Sequence, residues 1–368
     1  MARKAYIGVD SLARRVKKGY VGVGGKACRI QKTYIGIGGV ARPCGPARDV
    51  EYYGVITPLS VKRFYLAAVP VGGYALFGGG QDEGDTAYAV VDAYNASLTR
   101  TAPTAFSAAK ARHAAGSAGE YAVFAKGTTA ATEAYNASLT RTNPAGSAIS
   151  GFPASASVGT SALFAGGGGT PSATAAYNAA LSLSAAPDLT VGRMHLMAAS
   201  VGGRALFCGG RDAGETACYN TVDAYDASLT RTAPTALSAA RSHGVGACVS
   251  GYALICGGVT IGNTPFKTID VYDGALTRMT PIEMGVTVSS AAGTTVGGRA
   301  IIYSGTTSAV NVFDKWLTRT IPAGLSLHRQ FPAAAPVGDY ALFGGGHTLT
   351  SSGALDSASD TVDAYVIP

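Results

Sequence analysis

From residue 50 to the end of the chain, one pattern of apolar and polar positions recurs. A short apolar run closing on glycine begins at Tyr74 (YALFGGG), Tyr121 (YAVFAKG), Ser161 (SALFAGG), Arg204 (RALFCGG), Tyr252 (YALICGG), Arg299 (RAIIYSG) and Tyr340 (YALFGGG), at intervals of 47, 40, 43, 48, 47 and 41 residues. Self-similarity at that period marks a repeat architecture, and short apolar runs bounded by glycine read as strands. The second glycine is present in every unit, at Gly80, Gly127, Gly167, Gly210, Gly258, Gly305 and Gly346. Such constancy predicts a backbone at positive φ, or an approach too close for a Cβ.

Each run is followed by a second strand signal ending in an aromatic residue: Tyr94, Tyr135, Tyr177, Tyr225, Tyr272, Phe313 and Tyr365. Two positions earlier stands Asp92, Glu133, Asp223, Asp270 or Asp363, with Ala175 and Asn311 in the remaining units. Asn or Asp turn residues come next, and then a third signal, clearest in SLTRTAPTALSAAR ending at Arg241. A unit therefore reads strand, Gly-Gly, strand with Tyr, turn, strand, basic residue, strand. Composition agrees: 47% hydrophobic, 14% charged and 50 Gly predict an all-β chain of short strands and tight turns.

This order resembles the Kelch repeat over about residues 50 to 368, with one departure: the Trp that usually follows the Tyr-Asp pair is absent, and the chain's single Trp is Trp316. The resemblance implies a Kelch-like β-propeller of seven blades. The last unit stops at VDAYVIP without its fourth strand, and GVITPLSVKR, ending at Arg63, matches TAPTALSAAR, ending at Arg241. An N-terminal strand is thus expected to complete the last blade and remove the open edges.

From the constant glycine to the constant aromatic there are 14, 8, 10, 15, 14, 8 and 19 residues, so units one, four, five and seven carry long loops on one face. Variable loops on a rigid scaffold are where recognition resides. The candidates are Gln81, Asp82, Glu83 and Asp85 in unit one, Arg211, Asp212 and Glu215 in unit four, Asn263 and Phe266 in unit five, and His347, Thr348 and Thr350 in unit seven. Arg193-x-His195 and Arg241-x-His243 recur with the repeat, Tyr65, Arg112, Phe152, Ser290 and Phe331 replacing the histidine elsewhere, and are read as structural. The QDEGDT and RDAGET clusters lack the alternating oxygen ligands of a calcium loop. No metal site or cofactor is predicted, and Cys208 and Cys256 share one small buried repeat position.

Charge divides the chain. Residues 1–48 hold 11 Lys or Arg against the single acid Asp10, a balance of +10, whereas the whole chain carries +7, leaving −3 for residues 49–368. The basic part repeats at period 14, from Lys4 (KAYIGVDSLARRVK), Lys18 (KGYVGVGGKACRIQ) and Lys32 (KTYIGIGGVARPCG), each predicted as a hairpin. Lys4, Arg14, Arg15, Lys17, Lys18, Lys26, Arg29, Lys32 and Arg42 are its candidate attachment residues. Hairpins with so little core need a partner. No stacking platform or base-reading helix accompanies them, which speaks against nucleic acid.

These basic Tyr-x-Gly repeats resemble N-terminal segments of virion proteins encoded by phages and prophages of Gram-positive gut bacteria. That resemblance implies a phage tail, fibre or baseplate protein, anchored to other virion proteins through residues 1–48 and displaying the propeller to a host-surface glycan or protein, with trimeric assembly as a further implication. No secretory leader and no apolar stretch of membrane-spanning length are present, so synthesis in the bacterial cytoplasm without a signal peptide is expected. No G-x-S-x-G elbow and no P-loop occur, and the expectation is a non-catalytic binding protein. Two alternatives stand beside it: a carbohydrate-active enzyme with carboxylates meeting across blades, and a purely structural decoration protein.

Overall fold

The computed structural model describes residues 5–9, 12–16, 20–23, 26–29, 34–37, 40–43, 49–127, 131–350 and 355–367, with side chains from residue 49 onward. Every regular element among them is a β-strand, and no helix among them is long and apolar enough to cross a membrane. The chain divides into two compact units, Met1–Asp49 and Val50–Pro368.

The first unit contains three antiparallel hairpins: Ala5–Val9 with Leu12–Val16, Tyr20–Val23 with Lys26–Arg29, and Tyr34–Ile37 with Val40–Pro43. Their registers coincide, Gly8 facing Ala13, Gly22 facing Ala27 and Gly36 facing Ala41. Arg14, Arg15, Lys26, Arg29 and Arg42 lie on the second strands, but their side chains fall outside the described residues, as do Lys4, Lys17, Lys18 and Lys32 altogether.

The second unit is propeller-like, built of four-stranded antiparallel sheets, of which seven are found among the described residues. Sheet one runs Ala67–Val71, Tyr74–Gly78, Val91–Asn95 and Arg100–Thr101 from one edge to the other. Sheets two to six repeat this order from Ala115–Ala118, Ala154–Val158, Met197–Val201, Val245–Val249 and Ala292–Val296. Sheet seven takes Ala333–Val337, Tyr340–Gly344 and Val362–Val366 from the end of the chain and its outer strand, Glu51–Ile56, from the beginning. That strand ends before Pro58, earlier than the matched GVITPLSVKR segment suggests, and the rest of the segment crosses toward sheet one.

First strands lie side by side in order, and Ala333–Val337 of sheet seven neighbours Ala67–Val71 of sheet one. Hydroxyls tie them together: Ser155 Oγ donates to the Ala115 carbonyl at 2.6 Å, Ser200 Oγ to Ser157 at 2.7 Å and Thr295 Oγ1 to Cys248 at 2.6 Å. The first strands alternate buried and half-buried positions, while the second and third strands are buried on both faces, which is why their sequences read as continuous apolar runs. Each core cluster is shared by adjacent sheets, as where Leu163 of sheet three packs with Phe207 and Tyr225 of sheet four.

A belt of buried charge lies within the sheets. Arg63 pairs with Asp92 at 2.8 Å, Lys110 with Glu133 at 2.6 Å, Arg193 with Asp223 at 2.6 Å, Arg241 with Asp270 at 2.6 Å and Arg329 with Asp363 at 2.7 Å, every side chain fully buried. In each pair the basic residue comes from the segment leading into a sheet and the acid from that sheet's third strand. Where the acid is absent the base is absent too: Ala175 goes with Ser150 in sheet three, and Asn311 with Val288 in sheet six. A buried charge without its partner is expensive, so the two are kept or lost together. The constant glycine serves the same belt. At Gly210, φ is +109°, and a Cβ would sit 2.8 Å from the Met194 carbonyl and 3.3 Å from the Arg193 Cβ.

Candidate functional site

Two residues beyond each belt position, the lead-in segment turns into the first strand through a left-handed backbone. The seven residues there are Tyr65, Arg112, Phe152, His195, His243, Ser290 and Phe331, with φ of 52, 57, 60, 54, 59, 50 and 54°. Left-handed geometry is costly for side chains of this size, by about 1–3 kcal/mol each, and here it aims one side chain per sheet at a common centre. Their backbones are linked in sequence, each amide donating to the preceding carbonyl: Arg112 to Tyr65 (3.1 Å), Phe152 to Arg112 (2.8 Å), His195 to Phe152 (3.2 Å), His243 to His195 (3.1 Å), Ser290 to His243 (3.0 Å) and Phe331 to Ser290 (2.9 Å). Together these residues line a concave mouth of about 240 Å³. A second cavity of about 290 Å³ is lined by the first strands of all seven sheets, among them Ser117, Ser157, Ser200, Cys248 and Thr295.

Aromatic rings cover much of the mouth. Phe331 and Tyr65 approach to 4.5 Å between centroids, Tyr65 and Phe152 to 5.2 Å edge-on, Phe152 and His195 to 4.2 Å, and His195 stacks on His243 at 3.8 Å. The Arg112 guanidinium lies over Tyr65 and Phe152 at 5.6 and 5.5 Å. Burial is the largest cause holding both histidines neutral: His195 is pushed down to about 2, with the charges of His243, Arg211 and Arg112 adding to burial, and His243 is pushed down to about 4, with Arg211 adding to burial. Tyr65 is raised, by burial first, with the Arg112 charge lowering it and Asp85 and Glu215 raising it further.

Around the mouth, the four long loops fold as small hairpins that add a second ladder above their sheets. Gln81 bridges Phe64 and Ala87, Arg211 bridges Met194 and Cys218, and Val259 bridges Ser242 and Pro265. In sheet seven, Arg329–Gln330, His347–Leu349 and Leu355–Ala358 form a three-stranded sheet.

The sequence candidates separate by place. Asp85 reaches the mouth, its carboxylate 3.0 Å from the Arg112 guanidinium and accepting from the Gln81 amide. Arg211 is buried in the wall, donating to Ser242 Oγ at 3.0 Å and pairing with Glu215 at 3.3 Å, while Ser242 Oγ meets His243 Nδ1 at 3.0 Å. Asp82 and Asp212 instead staple their own hairpin tips. Asp82 accepts from the Gly84 and Thr86 amides and the Tyr88 hydroxyl, Asp212 from Thr216 and the Ala217 amide, and these bonds hold both acids below the usual carboxylate range. Asn263 sits at an exposed tip with φ of 59°.

The remaining candidates serve the framework. Phe266 begins the strand Phe266–Asp273 and lies against buried Arg241. His347 is buried edge-on against Phe64 at 4.6 Å, and Thr348 Oγ1 bonds Ser357 across its hairpin. Thr350 is exposed at that hairpin's end. Glu83 accepts from the Ala358 amide, joining the loops of sheets one and seven.

Tyr65, Arg112, Phe152, His195, His243, Ser290 and Phe331, expected from the repeat to be structural, come together at the mouth. The available signal was chemical: at one repeat position the residue type varies, while two positions earlier it stays basic in five units. The histidines, spread along the sequence, are brought together as a stacked pair. Among the described residues no group of three or more His, Cys, Asp or Glu is placed to hold a metal, and burial pushes the Cys208 thiol up to about 12.

No family model matches the chain, and no curated protein matches it. A solved structure described as "Structure of YjhT" is similar, with a TM-score of 0.53 over 84% of this chain and 96% of that one at 10% identity. At that identity the likeness shows the fold alone.

Proposed function

We propose that the seven sheets are the blades of a Kelch-like propeller closed by the strand Glu51–Ile56, and that the mouth on its long-loop face is a non-catalytic binding site. The observation that carries this reading is the ring of seven side chains, one per sheet, held in left-handed backbone around a concave centre. A few polar groups among aromatic faces, set in a rigid concavity, are the usual make-up of a ligand site, and framework has no need of such varied chemistry at one repeat position. Asp85 and Glu215 are each paired with an arginine at the mouth, which favours binding over acid–base catalysis.

In this reading the chain is a virion surface or tail component. Residues 1–48 attach to other virion proteins, with a trimer as the assembly, and the propeller engages a host-surface glycan or protein. The sequence resemblance of the basic repeats supports the virion part. The test is saturable binding of the full chain to host cells and to a glycan array. Shortening the loop between residues 346 and 361 should weaken binding about tenfold, the scale of one lost contact group. Turnover of any bound glycan would favour an enzyme, and assembly into particles with no binding at all would leave a decoration protein.

A further inference from the structure

The long hairpins are not spread evenly around the mouth. Those of sheets seven and one are neighbours, joined where Glu83 accepts from the Ala358 amide and where Phe64 meets His347. Those of sheets four and five are neighbours too, joined by Arg211 with Ser242 at 3.0 Å and by the Cys218 thiol on the Val259 carbonyl at 3.7 Å. Two continuous walls therefore face each other across the ring. Between them, the loops of sheets three and six are bonded back onto their own lead-in segments. In sheet three, the Gly168 amide bonds back to the Gly151 carbonyl at 2.7 Å and Thr170 Oγ1 to the Ala148 carbonyl at 3.2 Å. In sheet six, the Ser304 amide closes on Ala309 at 3.0 Å, and Thr306 Oγ1 bonds the Thr287 carbonyl at 2.6 Å. Sheet two has one of the two shortest connections, eight residues from Gly127 to Tyr135.

We infer that the mouth is the middle of an open groove, entered over sheet three and left over sheet six, and that it holds an internal stretch of a linear, uncharged polysaccharide. This rests on the binding reading above. The floor is the aromatic path from Phe152 through Tyr65 to Phe331 on one side and the His195–His243 stack on the other. At the sheet-six exit the ring residue is Ser290, the smallest of the seven. Flat apolar faces edged by polar groups suit sugar rings.

An extended peptide would need free main-chain donors and acceptors, and six amides of the floor are already spent on the ring of hydrogen bonds. A polyanion would need unpaired cations, whereas Arg112 and Arg211 are each matched by a carboxylate. Open ends on both sides of a groove exclude nothing beyond the bound segment, which a pocket for chain ends would have to do.

The full chain is titrated against a printed array of linear glycans, neutral and acidic, graded in length and offered with both ends free or both ends blocked. The expected result is affinity that climbs at least tenfold from disaccharide to longer neutral chains, then levels off, and is indifferent to blocked ends. Ser290→Phe, which places at the exit a residue that the same backbone already accepts at Phe152 and Phe331, should erase the gain with length while the chain still melts cooperatively near the parent's temperature. Affinity independent of length, loss of binding on blocking the ends, or preference for acidic chains would overturn the groove and leave the mouth as a binding site. No binding to any glycan by the folded chain would overturn the groove and count against the glycan reading beneath it.

Discussion

Arg193 and His195 are two residues apart in the chain and belong to different worlds. The belt residue is wholly buried, bonded to Asp223 and to the Phe207 carbonyl; the mouth residue is half-buried and stacks on its counterpart from the next sheet. The same contrast recurs around the unit. At the belt, the chemistry stays basic or disappears together with its acid. At the mouth, five residue types occupy seven places. The difference teaches that in a repeat fold, a fixed neighbour that already holds the backbone in place leaves the position two residues on free to vary from sheet to sheet.

The largest effect should come from breaking the belt. Asp223→Ala strands Arg193 and Arg231, which both pair with it, and is expected to cost about 3–5 kcal/mol in a denaturant titration. Removing Arg193 and Asp223 together, as sheet three does naturally with Ser150 and Ala175, should cost clearly less than either change alone. If the double variant is the sum of the singles, the idea that the pair is kept or lost as a unit fails.

At the mouth, stability and binding should come apart. Phe152→Gly relieves a left-handed backbone while removing an aromatic contact, and the two offset to within about 1 kcal/mol of unfolding free energy. Glycan binding by this variant should nonetheless drop tenfold or more. A loss of stability comparable to that of Asp223→Ala would place Phe152 with the framework instead.

Acid should probe the mouth through its histidines. Their folded values lie below the ordinary 6.5, at about 2 for His195 and about 4 for His243. The unfolded chain therefore binds protons first, so their contribution to stability is full above 6.5 and is lost progressively as pH falls from there toward the folded values. Replacing both with Phe, the residue at two equivalent positions, should flatten that part of a stability–pH curve. The smallest effect is expected at the hairpin tips: Asp212→Ala removes bonds local to one exposed turn, for about 1 kcal/mol, and leaves glycan binding unchanged.

Much of the fold was legible because its constraints are local and repeated. Buried second and third strands wrote themselves as apolar runs, and the constant glycine marked both a positive φ and a close approach, as Gly210 shows. Hairpin lengths likewise picked out the four sheets that bear a second ladder. The outer strand of sheet seven was placed a few residues late, because the likeness to the TAPTALSAAR segment follows the lead-in path and the belt arginine rather than the strand itself.

The site was less legible. Asp82 and Asp212 stood as binding candidates by their place in long loops, but their oxygens accept from their own turns. The mouth is assembled from residues some 40–50 positions apart, and its common centre exists only once the sheets stand side by side.

The most direct test of the account is a host-cell binding titration of the full chain carrying both Tyr65→Ala and Phe152→Ala, read beside the melting temperature of the same protein. The account predicts a folded chain, melting within a few degrees of the parent, that no longer binds at concentrations saturating the parent. Undiminished binding by that folded variant would contradict it and move recognition away from the mouth.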